Sequence, residues 1–487
     1  MNTCSMENGY YYKRSYRQSY YRPEWTCGKY NKSLRTAILY NLIEGTSHFF
    51  EEESADVIGL ILTYGRSSII DLPEISHKIG VDEACLHEFV DSLVNIGILS
   101  THLWNKSEIM AYRHHVASTR KKLNFNPNSF DNNYETAEDE YAKTIDGWGS
   151  VVFELTYRCN EQCIHCYNEG ASHCKEESNT RGNRKELSFS DYRKVIDEFC
   201  EQGMFKACIT GGDPFMHPHV WDILEYLYEK EVSVELYTNG QALIGCCERL
   251  AFLYPRIVGI SIYSAIAQIH DKVTRSPGSY ERSITVMENL SELGIPLQIK
   301  CCVLNLNYYS YKTIYALADQ FNALPQIETN IRNTVSGNQF ASKNLRLSDE
   351  QYFELFSDKN IPQSIDDCSL GNIAERDYTC NACKAGINSC TLTPEGNIIP
   401  CPAFHMVLGN VIEMHLKEMF TGDKLNWWRS VKLTDYEECG SHDYCGFCAI
   451  CPGENYADTA NPLKASENKC FMAKHRYACA VKLFKKG

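Results

Sequence analysis

Residues 159–167 read CNEQCIHCY, placing Cys159, Cys163 and Cys166 in a C-x3-C-x2-C interval with Tyr167 directly after. Several readings compete for such a run. A thioredoxin-like C-x-x-C accounts for Cys163 and Cys166 and leaves Cys159 idle. A zinc site needs a fourth ligand, and His165, His173 and Cys174 are close in sequence. A disulfide knot needs an oxidising compartment. A [4Fe-4S] cube held by three cysteines leaves one iron open, able to hold a small molecule and pass it one electron.

The surroundings of the stretch weigh between these. It directly follows VVFELT (residues 151–156), the first of six strand-like runs. The others are residues 207–210, 232–238, 257–262, 297–303 and 326–331. Helical patterns lie between them. The clearest begins at Ser188, with Asp191 completing a capping box and Tyr192, Val195, Ile196 and Phe199 on one face. Such alternation predicts a parallel sheet, open or curled into a partial barrel, with its chemistry at the C-terminal strand ends. CNEQCIHCY stands at the first of those ends.

Composition narrows the setting. A chain of 487 residues is too long for one core and predicts two to four domains. Apolar residues at 44% and charged residues at 23% fit a globular protein. A formal charge of -14 argues against a general nucleic-acid binder. No apolar run is long enough to span a membrane, and the polar, aromatic N-terminus has no signal-peptide pattern, so a cytoplasmic setting is expected. In a reducing compartment, 24 cysteines point to metal ligation, the remainder being buried as small hydrophobes. Eleven fall between Cys368 and Cys479, which marks a second metal-rich region. Cys4, Cys27, Cys85, Cys200, Cys208, Cys246 and Cys247 are scattered and read as structural.

C-x3-C-x2-C followed by an aromatic residue after a first strand resembles the cluster motif of the radical S-adenosylmethionine (SAM) superfamily. The resemblance implies that Cys159, Cys163 and Cys166 hold the cube, that SAM chelates the fourth iron, and that Tyr167 packs near the adenine. TGGDP (residues 210–214) ends the second strand where that family has Gly-Gly-Glu-Pro receiving the SAM amino group. Gly211 and Gly212 would let backbone approach the ligand, followed by Asp213 and Pro214; Asp213 departs from the pattern by being one methylene shorter. Ser261 resembles the ribose contact, Arg275 the carboxylate-pairing arginine, and Asn239 a strand-end polar contact. Lys300 could point into the barrel mouth, and at least one of Cys301 and Cys302 belongs to the core.

The C-terminal third resembles the SPASM domain, which carries two auxiliary [4Fe-4S] clusters. Its first part is Cys383-x12-Gly396-x4-Cys401. The second part, CGSHDYCGFCAICPG, departs from the pattern: a usual cysteine position falls on His442, and Cys445 is extra. The resemblance implies one cluster on Cys383, Cys401 and Cys451, with Cys380 or Cys390 as fourth ligand. The other would use Cys439, Cys445, Cys448 and Cys470, with thiolate Cys445 favoured over His442. A structural zinc domain is the alternative; Cys368 and Cys479 are unassigned.

Upstream, residues 36–50 read as two strands around Glu44 and Gly45, followed by helices over 54–65, in DLPEISHKIG, and over 83–96, where Leu86, Phe89, Val90, Leu93 and Ile96 share a face. This winged-helix-like pattern resembles the leader-peptide recognition domain of ribosomally made peptide maturases. It implies that the leader of a precursor peptide adds as a strand near residues 37–42 and contacts the 83–96 helix.

The expected architecture is α/β. Residues 1–115 form the winged-helix-like domain (core 30–105), 116–146 a linker, 147–345 a partial (β/α)6 TIM-like radical SAM barrel, and 346–487 the cysteine-rich iron–sulfur SPASM domain. The resemblance implies that homolytic SAM cleavage gives a 5'-deoxyadenosyl radical that takes a hydrogen atom from the peptide and leads to an intramolecular thioether. Carbon–carbon cross-linking of the cyclophane or Lys–Trp kind, and side-chain oxidation of the sulfatase-maturing kind, use similar parts. Expected cofactors are SAM and three [4Fe-4S] clusters. Expected partners are the precursor peptide and an electron donor such as flavodoxin or ferredoxin, with no nucleic acid and no membrane.

Overall fold

The computed structural model describes residues 18–122, 137–168, 186–334, 337–358, 361, 379–381, 383–448 and 450–484. Cys4, His173, Cys174 and Cys368, and residues 123–136 of the expected linker, lie outside them.

All six expected strands form one parallel run: β4 (Ser150–Glu154), β5 (Lys206–Thr210), β6 (Ser233–Thr238), β7 (Ile257–Ser261), β8 (Leu297–Cys302) and β9 (Leu324–Glu328), paired in that order. The crossover helices are α5 (Phe189–Glu201), α6 (Val220–Glu229), α7 (Cys247–Ala251), α8 (Ala267–Thr274) with α9 (Ser279–Glu292), and α10 (Thr313–Phe321). The capping box at the start of α5 is made, with Ser188 and Asp191 bonding reciprocally, and its four apolar residues are buried. Cys301 is buried in the same core.

The sheet does not stop at β4. β10 (Ser389–Leu392) pairs parallel with β4, and β11 (Asn397–Ile399) and β12 (Gly409–Asn410) extend it to nine strands. The Trp148 indole donates to the Gly386 carbonyl at 2.9 Å, and one hydrophobic core runs from Trp148 to Ala480. One hydrophobic core therefore crosses the division expected at residue 346. Helices α11 (Pro452–Thr459) and α12 (Glu467–Phe484) close this end of the chain.

The N-terminal unit is a three-stranded antiparallel sheet, β1 (Thr26–Asn31), β2 (Thr36–Asn41) and β3 (Thr46–Glu51), followed by α1 (Glu52–Ile61), α2 (Leu72–Ile79) and α3 (Glu83–Asn95). β1 carries no apolar alternation and escaped the sequence reading. Its presence corrects the expected leader contact: of residues 37–42, 37–41 are on the central strand, buried throughout and paired on both sides, and Leu42 follows, also buried. The free edges are β1 and β3, and Phe50 of β3 meets Phe89 of α3 edge-to-face at 6.1 Å. Along α3, Leu86, Val90 and Leu93 are buried, and Phe89 and Ile96 pack partly buried beside them.

The expected linker is also corrected. α4 (Lys106–Lys122) runs through residue 116, and residues 137–142 are helical. Ile109, Tyr112 and Val116, at helical spacing, pack with Ala137 and Tyr141 onto Trp25, Ile38, Phe205 and Tyr254. The charged and polar contacts fall on the loops preceding the barrel strands. Glu138 accepts from Lys206 (2.7 Å), Arg256 (2.8 Å) and Tyr40 (3.1 Å), while Lys29 donates to the Lys230 carbonyl (2.6 Å). The N-terminal unit is thus fastened to the barrel at the end away from the strand C-termini.

Candidate active site

The loop after β4 carries the three cysteines. It is pinned by backbone bonds from Gln162 to the Thr274 carbonyl (3.0 Å) and from Ile164 to the Val273 carbonyl (2.9 Å), and Cys166 N closes a turn onto the Cys163 carbonyl (3.1 Å). All three side chains line one cavity of about 430 Å³ at the C-terminal strand ends. Tyr167, Gly211, Gly212, Asn239, Ser261 and Lys300 line it too. Burial pushes the Cys159 thiol up to about 12 and raises those of Cys163 and Cys166. Thiols so situated ionise when a cation takes them. None of the described cysteines is in a disulfide.

The glycines are required by the fold as well as by the cavity. At Gly211 the backbone has φ of 141°, and an added Cβ would meet the Thr156 carbonyl oxygen at 2.3 Å. At Gly212 it would meet that of Arg158 at 2.4 Å. The close approach is to the loop after β4, where Gly212 N and Asp213 N donate to Thr156 O (2.7 Å) and Arg158 O (2.9 Å).

Three predicted residues are not brought to the cavity. Asp213 is fully buried and its carboxylate is occupied: it accepts from Thr238 Oγ1 (2.6 Å), Asn239 N (2.9 Å) and Phe215 N (3.0 Å). Burial raises its pKa although these donors pull the other way. It holds the end of β6, not the cavity wall. Pro214 is buried in the turn beside it. Arg275 is exposed, in the left-handed cap of α8.

Asn239, so held, reaches back to the cysteine loop. Its Nδ2 donates to Asn160 Oδ1 at 2.6 Å and lies 3.7 Å from Cys159 Sγ. Glu161, inside the loop, accepts from Gln241 Nε2 at 2.5 Å, and burial lifts its carboxyl to about 7. His165 is also interior to the loop; burial lowers its pKa to about 4, and its Nδ1 is buried without a partner. Sequence reasoning missed Glu161, Glu328, Arg332 and Tyr263 as cavity residues. The available signal was position: Glu328 and Arg332 flank the end of the sixth strand.

In the C-terminal region the structure separates two cysteine groups. Burial raises the Cys383 and Cys401 thiols, the latter to about 12, and the charge of Cys451 adds to both. Cys390, by contrast, feels burial alone and sits in the hydrophobic core on β10, opposite Val151, which corrects its expected candidacy as a ligand. Cys380 is exposed, its carbonyl accepting from Leu433 N. Cys439, Cys445, Cys448 and Cys470 line a second cavity of about 50 Å³. His442 lines it as well, its ring stacked on Tyr444 at 4.9 Å. Cys479 is buried, with its sulfur 3.5 Å from the Phe353 carbonyl oxygen and the Ser357 hydroxyl.

Among the described residues no group of three or more His, Cys, Asp or Glu side chains is arranged for a single metal ion. A cubane holds its thiolates farther apart than one ion does, and the donor sets here are thiolate throughout, which suits iron–sulfur clusters. Three cysteines facing an open cavity fit a cluster with one accessible iron.

A partial parallel barrel with such a loop after its first strand defines the class of protein. Residues 153–319 match the Radical SAM superfamily, and residues 383–452 match SPASM, an iron–sulfur cluster-binding domain. The chain is a radical SAM/SPASM-domain enzyme. It is 26% identical over 336 residues to the antilisterial bacteriocin subtilosin biosynthesis protein AlbA of Bacillus subtilis, covering 67% of this chain and 71% of that protein. It is 25% identical over 361 residues to the mycofactocin maturase MftC of Mycobacterium tuberculosis, covering 70% and 88%. In fold it is similar to Streptococcus suis SuiB bound to precursor peptide SuiA (TM-score 0.54, 14% identity, 93% of this chain and 99% of that one). It is likewise similar to anSMEcpe with bound AdoMet (TM-score 0.53, 16% identity, 69% and 98%). No described helix is long and apolar enough to cross a membrane.

Proposed function

We propose that this chain is a radical SAM maturase of a ribosomally made precursor peptide, forming an intramolecular thioether. The observation that carries the proposal is the single cavity that meets the Cys159–Cys163–Cys166 loop on one side and Pro402, next to Cys401, on the other. The names of the two relatives above, a bacteriocin biosynthesis protein and a maturase, support a peptide substrate.

Cys159, Cys163 and Cys166 would hold the SAM-binding cluster. Cys383, Cys401 and Cys451 would hold one auxiliary cluster, with Cys380 as fourth ligand. Cys439, Cys445, Cys448 and Cys470 would hold the other. Together these cofactors supply one-electron chemistry that withdraws a hydrogen atom from a bound substrate. The chain's own contribution is placement: Gly211 and Gly212 leave room beside the loop, Asn239 and Ser261 offer polar contacts to SAM, and Tyr167 packs beside it. Joining a thiol to a carbon removes two hydrogens. One is the hydrogen atom withdrawn from the carbon. The other leaves as a proton and a single electron, for which the auxiliary clusters held by Cys383, Cys401, Cys439, Cys445, Cys448, Cys451 and Cys470 would be the acceptors.

The leader adds as a strand to the free edge of β3 and contacts α3, where main-chain bonding gives affinity and the Phe50–Phe89 surface gives selectivity. Flavodoxin or ferredoxin supplies electrons, in the cytoplasm. Carbon–carbon cross-linking is the second reading, since the same parts serve it.

The test is anaerobic reconstitution with iron counting, followed by incubation with SAM, reductant and the peptide encoded beside this gene. Roughly twelve irons per chain, 5'-deoxyadenosine and a peptide lighter by two hydrogens per link are expected. Zinc in place of iron, or no SAM cleavage, overturns the reading.

A further inference from the structure

The cavity has two chemically different ends. One carries the cysteine loop, Gly211, Gly212, Asn239 and Ser261. The other is walled by the C-terminal ends of β8 and β9 and the segment after β9, and its ionisable groups include Lys300, Glu328 and Arg332.

The two cations lining this second end lack close carboxylate partners. Lys300 Nζ lies over the Tyr237 ring at 3.5 Å from its centroid, and no described carboxylate pairs with it. Its neighbour Glu235 is taken by Arg256 at 3.2 Å. Glu328 accepts from Thr329 N (3.0 Å) and Asn330 N (2.9 Å) through one oxygen. Arg332 Nε reaches Glu454 Oε1 only at 4.0 Å, and that same oxygen is held by Lys469 Nζ (3.0 Å) and Asn330 Nδ2 (2.7 Å). Lys300 thus has no described carboxylate in bonding range, and Arg332 shares the one Glu454 oxygen it reaches with Lys469, while Glu235, Glu328 and the Cys451 sulfur act on the two cations only from a distance. Burial of Lys300 lowers its pKa, because desolvation outweighs the nearby acids. A half-buried cation at a cavity wall with no carboxylate in bonding range gains a partner when a ligand supplies the counter-charge. SAM brings a cationic sulfonium together with a carboxylate of its own, and that carboxylate would be taken by the open iron at the cysteine-loop end of the cavity.

We propose that Lys300 and Arg332 receive a carboxylate of the substrate, so that the peptide segment brought to the cysteine loop carries an aspartate or glutamate. That the carboxylate belongs to a peptide rests on the function proposed above. The guanidinium, in the segment after β9, offers a fork of donors to a carboxylate, while Lys300 adds a point charge from β8. No described hydrogen bond or ion pair joins either residue to the cysteine loop, so both act on the choice and placement of substrate.

The experiment uses the reconstituted full-length enzyme with SAM and four probes: the N-acetyl, C-amidated tripeptides Gly-Asp-Gly, Gly-Glu-Gly, Gly-Asn-Gly and Gly-Gln-Gly. Calorimetry gives their affinities and that of SAM. Each acidic probe is expected to bind at least about tenfold more tightly than its amide isostere. Arg332→Gln and Lys300→Met should each remove most of that preference, and Arg332→Lys should retain part of it. SAM affinity should stay within about twofold in all three variants. Equal binding of acid and amide overturns the proposal, as does absence of saturable binding by both acids. A preference that survives Arg332→Gln and Lys300→Met overturns it too. A tenfold loss of SAM affinity in those variants would assign the cations to SAM and has the same consequence. Cross-linking of a precursor at neutral residues with no nearby acid sinks this inference and leaves the maturase reading standing. Acid-selective binding with no precursor modified does the reverse.

Discussion

Asp213→Asn separates two roles for the residue after the paired glycines. The resemblance of TGGDP to a SAM-binding turn puts the carboxylate on the ligand, whereas the structure spends it inside the protein. Oδ2 accepts from Thr238 Oγ1 and Asn239 N, and Oδ1 from Phe215 N. An asparagine can present its carbonyl oxygen on only one side. With that oxygen toward Thr238 and Asn239, the amide nitrogen faces the Phe215 N–H, donor against donor. One charge-assisted bond is lost, about 1.5–3 kcal/mol, and one buried donor is left unsatisfied, about 1–3 kcal/mol. Removing a desolvated charge returns part of this, so the expected net loss is about 2–4 kcal/mol. Scanning fluorimetry should record a fall of roughly 3–6 °C in the melting temperature of the unit built on that core. Because Asn239 is loosened from Asn160, SAM cleavage should slow by about tenfold or more. SAM affinity, read by calorimetry, should move by less than about threefold, since the carboxylate does not line the cavity. An unchanged melting temperature with a SAM affinity weakened about a hundredfold would refute this reasoning and return Asp213 to the ligand.

Three further outcomes are expected. Cys390→Ala should keep the full iron content, while Cys383→Ala and Cys445→Ala should each lose about four irons per chain and His442→Ala none; iron counting with Mössbauer spectra checks all four. Glu138→Ala strips Arg256 and Lys206 of their shared buried partner and should cost about 3–5 kcal/mol, read as faster hydrogen exchange across residues 26–41 and 137–146. Burial raises the Glu154 carboxyl from 4.5 to about 7, so its contribution to stability is fully present below about pH 4.5 and is lost as pH rises through about 7. Relative to Glu154→Gln, the native protein should therefore lose about 3 kcal/mol between pH 5 and 8, measured by denaturant midpoints at both values.

Much of the site was readable in order along the chain. Six strand patterns and the cysteines after the first of them set the barrel and the loop, because strand alternation and ligand spacing are local properties. What was misread depended on distant neighbours. The segment 137–146 looks like linker in composition, yet Glu138 and Tyr141 are buried against Tyr40, Phe205 and Arg256. Residues 37–42 are apolar enough for an edge or a centre; only the pairing of β1 made them the centre.

The sequence by itself determined the chemistry available: three thiols at cluster spacing, a glycine pair after the second strand, and a cysteine-rich C-terminal third. Tertiary structure alone decided which groups face the cavity. Asp213 turned inward because the end of β6 presents donors that a carboxylate satisfies, and Cys390 joined the core because β10 pairs beside β4. Lys300 on β8 and Arg332 in the segment after β9 came to line one compartment only through the folded sheet. Local spacing encodes ligand sets, but charge balance is a sum over residues that meet only in the folded protein.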